Sequence, residues 1–450
     1  QDQTSPNNFA TEVRPGHKIA ATQIAEKVTK AVDKVMPAGT VEKITKEEDK
    51  LAAAKLLVLS EFIFVTSVCT VIPARAPLVL AIKKGDTGAS AKVLGLMSSL
   101  AAFIELFMNP MFGQMADMYG RKPFFALAAM INCVLHASVA AFPSTLAVNF
   151  VDRMISGAMI FAFKAPLSAA LGDLYQGPQL AQWLARQNAA FGLGLGLGPY
   201  IGSKLGGARA FFWSAVGFVI TTIFTQSMAP ETLATNERKS FNINACSPLR
   251  FLKLFQGKMM PTLTLTVGLQ SFGDYFNIYD INFLYLKTVF DVGVSEIGRY
   301  ASCVGITQFF CGYFMPVAIG KYGQKRATLM ANAMWAVAMG LLGSAKTVSQ
   351  VVASLGSMTF GHLRNSAVSA YIQKHGQALG MGRSEIAAAQ ANFLAVLKVG
   401  IPFMYGNIFA KATSGGRNMP GAPYLAIALL TALSQLLFWT VDPDEEPKKA

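Results

Sequence analysis

Nine ionisable side chains stand inside stretches that are otherwise apolar: Glu61, Arg75, Glu105, Arg153, Lys164, Asp274, Asp280, Arg364 and Lys398. A charge at the middle of a bilayer costs roughly 2.5–3.5 kcal/mol on insertion scales, so such groups face an interior or a wet cavity. Lys164, Arg364 and Lys398 have the chemistry to hold an anion. Asp274 and Asp280 can pair with them or carry protons. Gln270, Asp274 and Asn277 recur at helical spacing and read as one face of one helix. His362 and Asn365 flank Arg364, and Arg186, Gln187 and Asn188 form a further polar patch. The same residues fit a second role, as interior ion pairs that lock helices together, and a lone His362 fits a hydrogen-bonded interior histidine. Arg75 and Arg153 also fit cations that snorkel toward the outer surface. No cluster has the spacing of a metal site, and no nucleophile–base pair is legible, so neither an enzyme nor a bound cofactor is expected. The five cysteines (Cys69, Cys133, Cys246, Cys303 and Cys311) contain no C-x-x-C pair and predict neither zinc nor a disulfide framework.

The elements that position these groups follow from composition. Hydrophobic residues make up 52% and charged residues 14% of 450, against roughly 25% charged in soluble domains. A hydrocarbon core about 30 Å thick takes about 20 helical residues, and twelve such runs are predicted. They lie near 55–82, 93–116, 124–142, 145–170, 182–205, 208–229, 259–286, 297–319, 326–345, 348–371, 388–410 and 421–440. Hydrocarbon offers no partner to a bare amide, so spans are helices or closed barrels. These runs lack the period-two alternation of barrel strands. The expectation is an all-α membrane protein with twelve transmembrane helices in two six-helix halves. The divisions are a polar tail at 1–54, a first bundle at 55–229, a linker at 230–258, a second bundle at 259–440 and a short tail at 441–450.

Ile24, Val28, Val32 and Val35 interleave with Lys27, Lys30 and Lys34, an amphipathic pattern suited to a membrane surface or a protein partner. The net charge of +14 is what basic loops on one side of a bilayer produce, so nucleic acid is not expected as a partner. With the N-terminus inside, the tail, the 121–122 turn, the linker, the 321–326 turn and the 374–383 loop all fall on the more basic side. Both termini are therefore expected on the cytoplasmic side.

Between the second and third spans runs Gly113-Gln-Met-Ala-Asp117-Met-Tyr-Gly120-Arg121-Lys122-Pro123. Gly113 would let another helix approach, Gly120 permits a tight turn, Arg121 and Lys122 anchor the inside face, and Pro123 can open the next helix. The stretch resembles the G-x-x-x-D-x-x-G-R-K signature of the major facilitator superfamily. Asp152-Arg153, Ala170-Leu-Gly-Asp173, the string Gly194, Gly198-Pro199 and Gly202, and Pro230-Glu231-Thr232-Leu233 extend the likeness toward the tetracycline and multidrug antiporter branch. Ser203 departs from that branch's glycine-proline motif. Gly320-Lys-Tyr-Gly323-Gln-Lys325-Arg326 is similar to the first motif without its aspartate. Gly194, Gly198 and Gly202 share one helix face and read as a packing stripe, not a nucleotide-binding loop.

The resemblance implies alternating access, in which two halves rock about a site near the midplane. It also implies that Asp117 and Arg121 latch the halves on the cytoplasmic side, with Asp173 and Arg186 as charge partners. In that fold the first, fourth, seventh and tenth spans line the central cavity, and most of the buried ionisable residues fall on those four. The substrate expected is a small polar or anionic organic solute, moved through the bilayer with or without protons. The antiporter branch places an acid in its first span, whereas Glu61 lies nearer the inner end, so proton coupling does not carry over directly. Two other readings stand beside this one: a uniporter without ion coupling, and a structural subunit of a larger membrane assembly held through the tail.

Overall fold

Apolar runs of helix length set the architecture, and the breaks within them set the site. The computed structural model describes residues 44–175, 177–238, 247–362, 364–381, 383–413 and 419–441. The amphipathic stretch at 24–35, Cys246 and most of the 441–450 tail lie outside the described residues.

The first bundle comprises α1 (Glu47–Thr70), α2 (Ile72–Ile82), α3 (Thr87–Tyr119), α4 (Lys122–Ala141), α5 (Leu146–Leu174), α6 (Gly177–Leu205) and α7 (Gly207–Ser227). The second comprises α8 (Met260–Ser271), α9 (Tyr275–Phe290), α10 (Val294–Tyr322), α11 (Gln324–Ser344), α12 (Val348–Gly361), α13 (Arg364–Ala378), α14 (Arg383–Thr413) and α15 (Ala422–Trp439). Taken as rods, α1–α2, α8–α9 and α12–α13 are each one broken span, giving six rods on either side of the linker. Eight stretches among the described residues are long and apolar enough to cross a bilayer on composition alone. The remaining rods are the two broken ones of the second bundle and the glycine-rich α6 and α10.

Three expected spans are thus not continuous. Pro73 at the start of α2 has no amide to offer the preceding turn, and the first rod breaks at Val71. The seventh breaks across Phe272–Asp274 and the tenth after Gly361. Trp335 of α11, itself 1% exposed, is wedged into both of these breaks. A Cβ on Gly273 would lie 2.7 Å from its Nε1, and one on Gly361 2.7 Å from its Cε3. Gln270, Asp274 and Asn277 therefore do not share one helix face: Gln270 ends α8, Asp274 precedes α9, and Asn277 begins it. The first helix also starts at Glu47, earlier than expected. Glu47, Glu48 and Asp49 occupy its opening turn, where carboxylates offset the positive end of the helix dipole.

Aromatic and small residues fill the bundles. Phe64 stacks on Phe163 with ring centroids 4.0 Å apart, and Phe218 meets Phe64 edge-on at 5.5 Å. Gly194 faces Val65 and Gly198 faces Cys69, where a Cβ would come within 2.9 Å and 2.6 Å of those side chains. Glycine lets α6 lie directly on α1. The bundles themselves meet along α3 with α14, α6 with α10, and α2 with α9. Gly95 approaches the Pro402 carbonyl and Gly305 the Gly196 amide, each at 2.7 Å from the would-be Cβ. These points lie toward the ends of the rods remote from Glu47. The linker leans on the second bundle: Leu254 joins the core of Met260, Leu263 and Ile386, and Asn392 Nδ2 donates to the Ser247 carbonyl at 3.3 Å.

Candidate functional site

Among the described residues, two ion pairs cross from one bundle to the other. Arg153 Nε of α5 stands 3.2 Å from Asp280 Oδ2 of α9, with side chains 10% and 5% exposed. Ser98 Oγ of α3 donates to the same carboxylate oxygen at 2.8 Å and accepts from Arg153 Nη2 at 3.1 Å. The guanidinium lies over the Tyr279 ring, 5.3 Å from its centroid. In the second pair, Lys398 Nζ of α14 meets Glu105 Oε2 of α3 at 3.0 Å and sits 4.6 Å from the Phe161 ring centre. The pairs adjoin across Gly157, where a Cβ would lie 3.2 Å from Glu105 Oε1 and 3.3 Å from Arg153 Nη1. Only hydrogen fits between them. Arg153 is therefore interior, not a snorkelling surface cation.

Lys164 lies beside this belt on α5, half-buried, with Nζ 4.4 Å from the Phe191 ring centre. The nearby carboxyl is Glu61, which is 1% exposed. Neither Glu61 oxygen has a hydrogen-bond partner among the described residues. Neighbouring Gln187 Nε2 donates to Ser168 Oγ at 2.9 Å.

The polar residues of the seventh and tenth rods serve largely as braces. Arg364 is buried: it pairs with Asp274 Oδ1 at 3.0 Å and donates to the Gln270 and Gly361 carbonyls at 2.6 and 3.2 Å. Its guanidinium stacks 4.3 Å from the Trp335 ring centre. Gln270 Nε2 donates to Asn332 Oδ1 at 2.9 Å and to the Arg364 carbonyl at 3.2 Å. Asn277 Nδ2 donates back across the break to the Ser271 carbonyl at 2.8 Å. His362 Nε2 and Thr307 Oγ1 are 2.9 Å apart. Gln270, Asn277 and Arg364, expected in the cavity, thus satisfy backbone carbonyls at the breaks, which hydrocarbon demands, whereas His362, expected there too, meets the Thr307 hydroxyl. Asp274 keeps a side chain 32% exposed.

A second network was not legible as a unit. Arg75 of α2 pairs with Asp152 of α5 at 2.7 Å, and His136 Nε2 of α4 lies 3.4 Å from the other oxygen of Asp152. His136 Nδ1 meets Ser214 Oγ of α7 at 2.7 Å, and Ser214 donates to the Ser67 carbonyl at 2.5 Å. Arg75, like Arg153, is buried. This network ties four rods of the first bundle together. Asp152 stood in a recognisable motif, but nothing in the sequence marked His136, Ser214 or Ser67 as its partners.

At the 120–123 turn, Gly120 has φ +106°, a conformation open to glycine. Glu231 accepts from the Arg121 and Lys122 amides at 3.0 Å each. It thereby satisfies amides at the start of α4. Arg121 pairs with Asp117, and its Nε lies 3.4 Å from Asp173 Oδ2. Thr232 Oγ1 donates to that oxygen at 2.9 Å. Among the described residues every member belongs to the first bundle or the start of the linker, so the latch expected between the halves is not engaged in this state. Arg186 is not part of it: its guanidinium lies 4.4 Å from the Trp183 ring centre, exposed on α6. Gly113, expected at a close helix contact, has nothing within 4 Å of a would-be Cβ. Among the described residues no group of three potential ligands could hold a metal.

Residues 57–254 match the model of the Major Facilitator Superfamily. Tetracycline resistance protein class H of Pasteurella multocida is 26% identical over 239 residues, covering 51% of this chain and 57% of that protein. The chain spans about half the length of the curated relatives it matches first. Among solved structures, the human organic anion transporter MFSD10 (TETRAN) superposes with a TM-score of 0.63 at 17% identity, over 88% of this chain and all of that one. A D-xylose–proton symporter superposes at 0.68 with 13% identity, over 89% of this chain and 99% of that one. At such identities the likeness establishes the fold.

Proposed function

We propose that this chain, a major facilitator superfamily protein by the sequence of its first half and by its fold, is a secondary active transporter. It moves a small polar or anionic organic solute across a membrane by alternating access. The observation that carries the reading is the cross-bundle belt of Arg153, Asp280, Ser98, Lys398 and Glu105. Charges are costly in hydrocarbon, and here they are placed where two bundles must separate. Lys164, near the Phe191 ring and not wholly buried, supplies positive charge for an anion, and Lys398 does so when it leaves Glu105. Arg364 does not, because Asp274 and two carbonyls already occupy it. Close packing at the ends remote from Glu47 fits a state open on the N-terminal side, which basic-loop counting places in the cytoplasm.

Proton coupling is assigned to Glu61, a buried carboxyl whose oxygens have no close hydrogen-bond partner among the described residues, near Lys164 and Gln187. Protonation there is felt by the cation proposed to meet substrate. The test is uptake of labelled organic anions by proteoliposomes, with and without a pH gradient. Saturable uptake that falls in Lys164→Gln supports the proposal; no flux for a broad anion panel, with stoichiometric co-purifying proteins, favours the structural-subunit alternative. That alternative rests on the tail, of which residues 1–43 lie outside the described residues, and no contact among the described residues favours it.

A further inference from the structure

We propose that the groove between α1 and α6 binds one anionic phospholipid from the leaflet on the N-terminal side. The two helices are drawn together by the glycine stripe near their far ends and separate toward their starts. The separation leaves a cavity of about 530 Å³, within the size range of about 300–1,000 Å³ for small-molecule sites. Lys55, Leu59 and Phe62 line it from α1, and Trp183, Arg186 and Leu193 from α6. Leu59 and Leu193 are 44% and 53% exposed, so the groove opens sideways to acyl chains.

Its depth follows from helix length. Arg186 and Lys204 on α6 are eighteen residues apart, about 27 Å along a helix axis, close to the hydrocarbon thickness of about 30 Å. With Lys204 at one headgroup level, Arg186 lies at the other. Trp183 beneath it is the residue type that settles at that level. Stacking on Trp183 at 4.4 Å holds the guanidinium plane while its N–H edge stays available, and that edge matches two phosphate oxygens at once. Neither Lys55 nor Arg186 has an ion-pair partner among the described residues. Below this charged rim the walls are apolar, which suits an acyl chain and offers nothing to a free inorganic anion.

The test is lipid retention by native mass spectrometry. The full chain is released from nanodiscs of phosphatidylcholine doped with phosphatidylglycerol. Wild type should keep phosphatidylglycerol in preference to phosphatidylcholine. Lys55→Gln and Arg186→Gln should each weaken retention about five-fold, and the pair about twenty-five-fold, from roughly one phosphate-level attraction per basic residue. Arg186→Lys should retain part of the effect, and Leu193→Trp should lower retention with both charges intact. Monodisperse gel filtration of each variant separates lost binding from lost folding. Equal retention of the two lipids by wild type, or no loss in the double variant, overturns the proposal. So does displacement of the lipid by inorganic phosphate, or cross-linking of residues 1–43 to a photoreactive group at position 59.

Discussion

Asp280→Asn removes one charge from the belt and leaves its shape. In the parent, Arg153 has a carboxylate at 3.2 Å, Ser98 at 3.1 Å and the Tyr279 ring at 5.3 Å. The variant keeps the latter two. Removing one partner of a buried pair costs about 3–5 kcal/mol, because a desolvated cation remains. Here the pair also joins two bodies that must move apart, so the cost falls on the conformation that contains it. A loss of about 3 kcal/mol changes the ratio of closed to separated belts by about two powers of ten. The assay is modification of a single cysteine placed at Ser156, beside Gly157 and 7% exposed, which opens to reagent when the belt parts, in a background with the native cysteines replaced, alongside anion uptake. Asp280→Asn should raise the labelling rate at least ten-fold and lower uptake. The combined Arg153→Gln and Asp280→Asn variant should lie nearer wild type than either single change, since it leaves no orphaned charge. Unchanged labelling and uptake in Asp280→Asn, with normal expression, would refute the idea that this pair holds the bundles in the observed state.

Gly113→Leu should fold normally, because nothing lies within 4 Å of the added Cβ, yet slow uptake at least ten-fold by obstructing the other conformation; wild-type flux would remove Gly113 from the moving surface. Glu61→Gln should abolish stimulation by a pH gradient while exchange of unlabelled for labelled solute continues, and retained stimulation would place the proton elsewhere. Gly198→Val should lower the yield of monodisperse protein, since its Cβ would lie 2.6 Å from the Thr66 carbonyl and the Cys69 side chain; a normal yield and melting point would mean that α6 tolerates displacement from α1. Glu231→Ala should leave the Arg121 and Lys122 amides without their acceptor and lower the melting temperature by a few degrees, about the effect of a lost helix cap; an unchanged melting point would show that water replaces the carboxylate.

The rods were legible in the sequence because twenty apolar residues leave the backbone few alternatives in hydrocarbon. The glycine stripe was legible for a similar reason: spacing of four on one face implies a close neighbour. The breaks were not. Gly273 and Gly361 look like any glycine in an apolar run, and only the arrival of Trp335 from another rod explains them. This single fact explains why Gln270, Asn277 and Arg364 hydrogen-bond backbone carbonyls there, since broken helices free backbone groups that need partners. The ionisable list itself was sound as a list of interior residues. Which cation meets which acid depended on three-dimensional neighbours, as with Arg75 and Asp152, or Lys398 and Glu105 across 293 positions. Glu231 was visible as part of a motif, but its role toward the amides of a turn over a hundred residues away was not.

The two copies of the turn motif show how the halves have diverged. Gly120 and Gly323 keep φ values of +106° and +79°, so both turns retain the conformation that glycine permits. The first is surrounded by Asp117, Arg121, Asp173 and Glu231. At the second, Lys325 Nζ donates to the Val441 carbonyl at 2.6 Å, a fixed tie to the end of α15. Among the described residues Lys325 has no carboxylate partner, whereas Arg121 has two acids within reach and Asp117 is 36% exposed. Among the described residues, the exchangeable charges at these two turns are thus concentrated at the first. If a cytoplasmic-side switch operates here, it works through Arg121 moving between Asp117 and Asp173, with the second turn as its passive counterpart. On the proposed mechanism, Gly113 and Asp117, one helical turn apart on α3, lie on the surface that the second bundle approaches when the far ends separate.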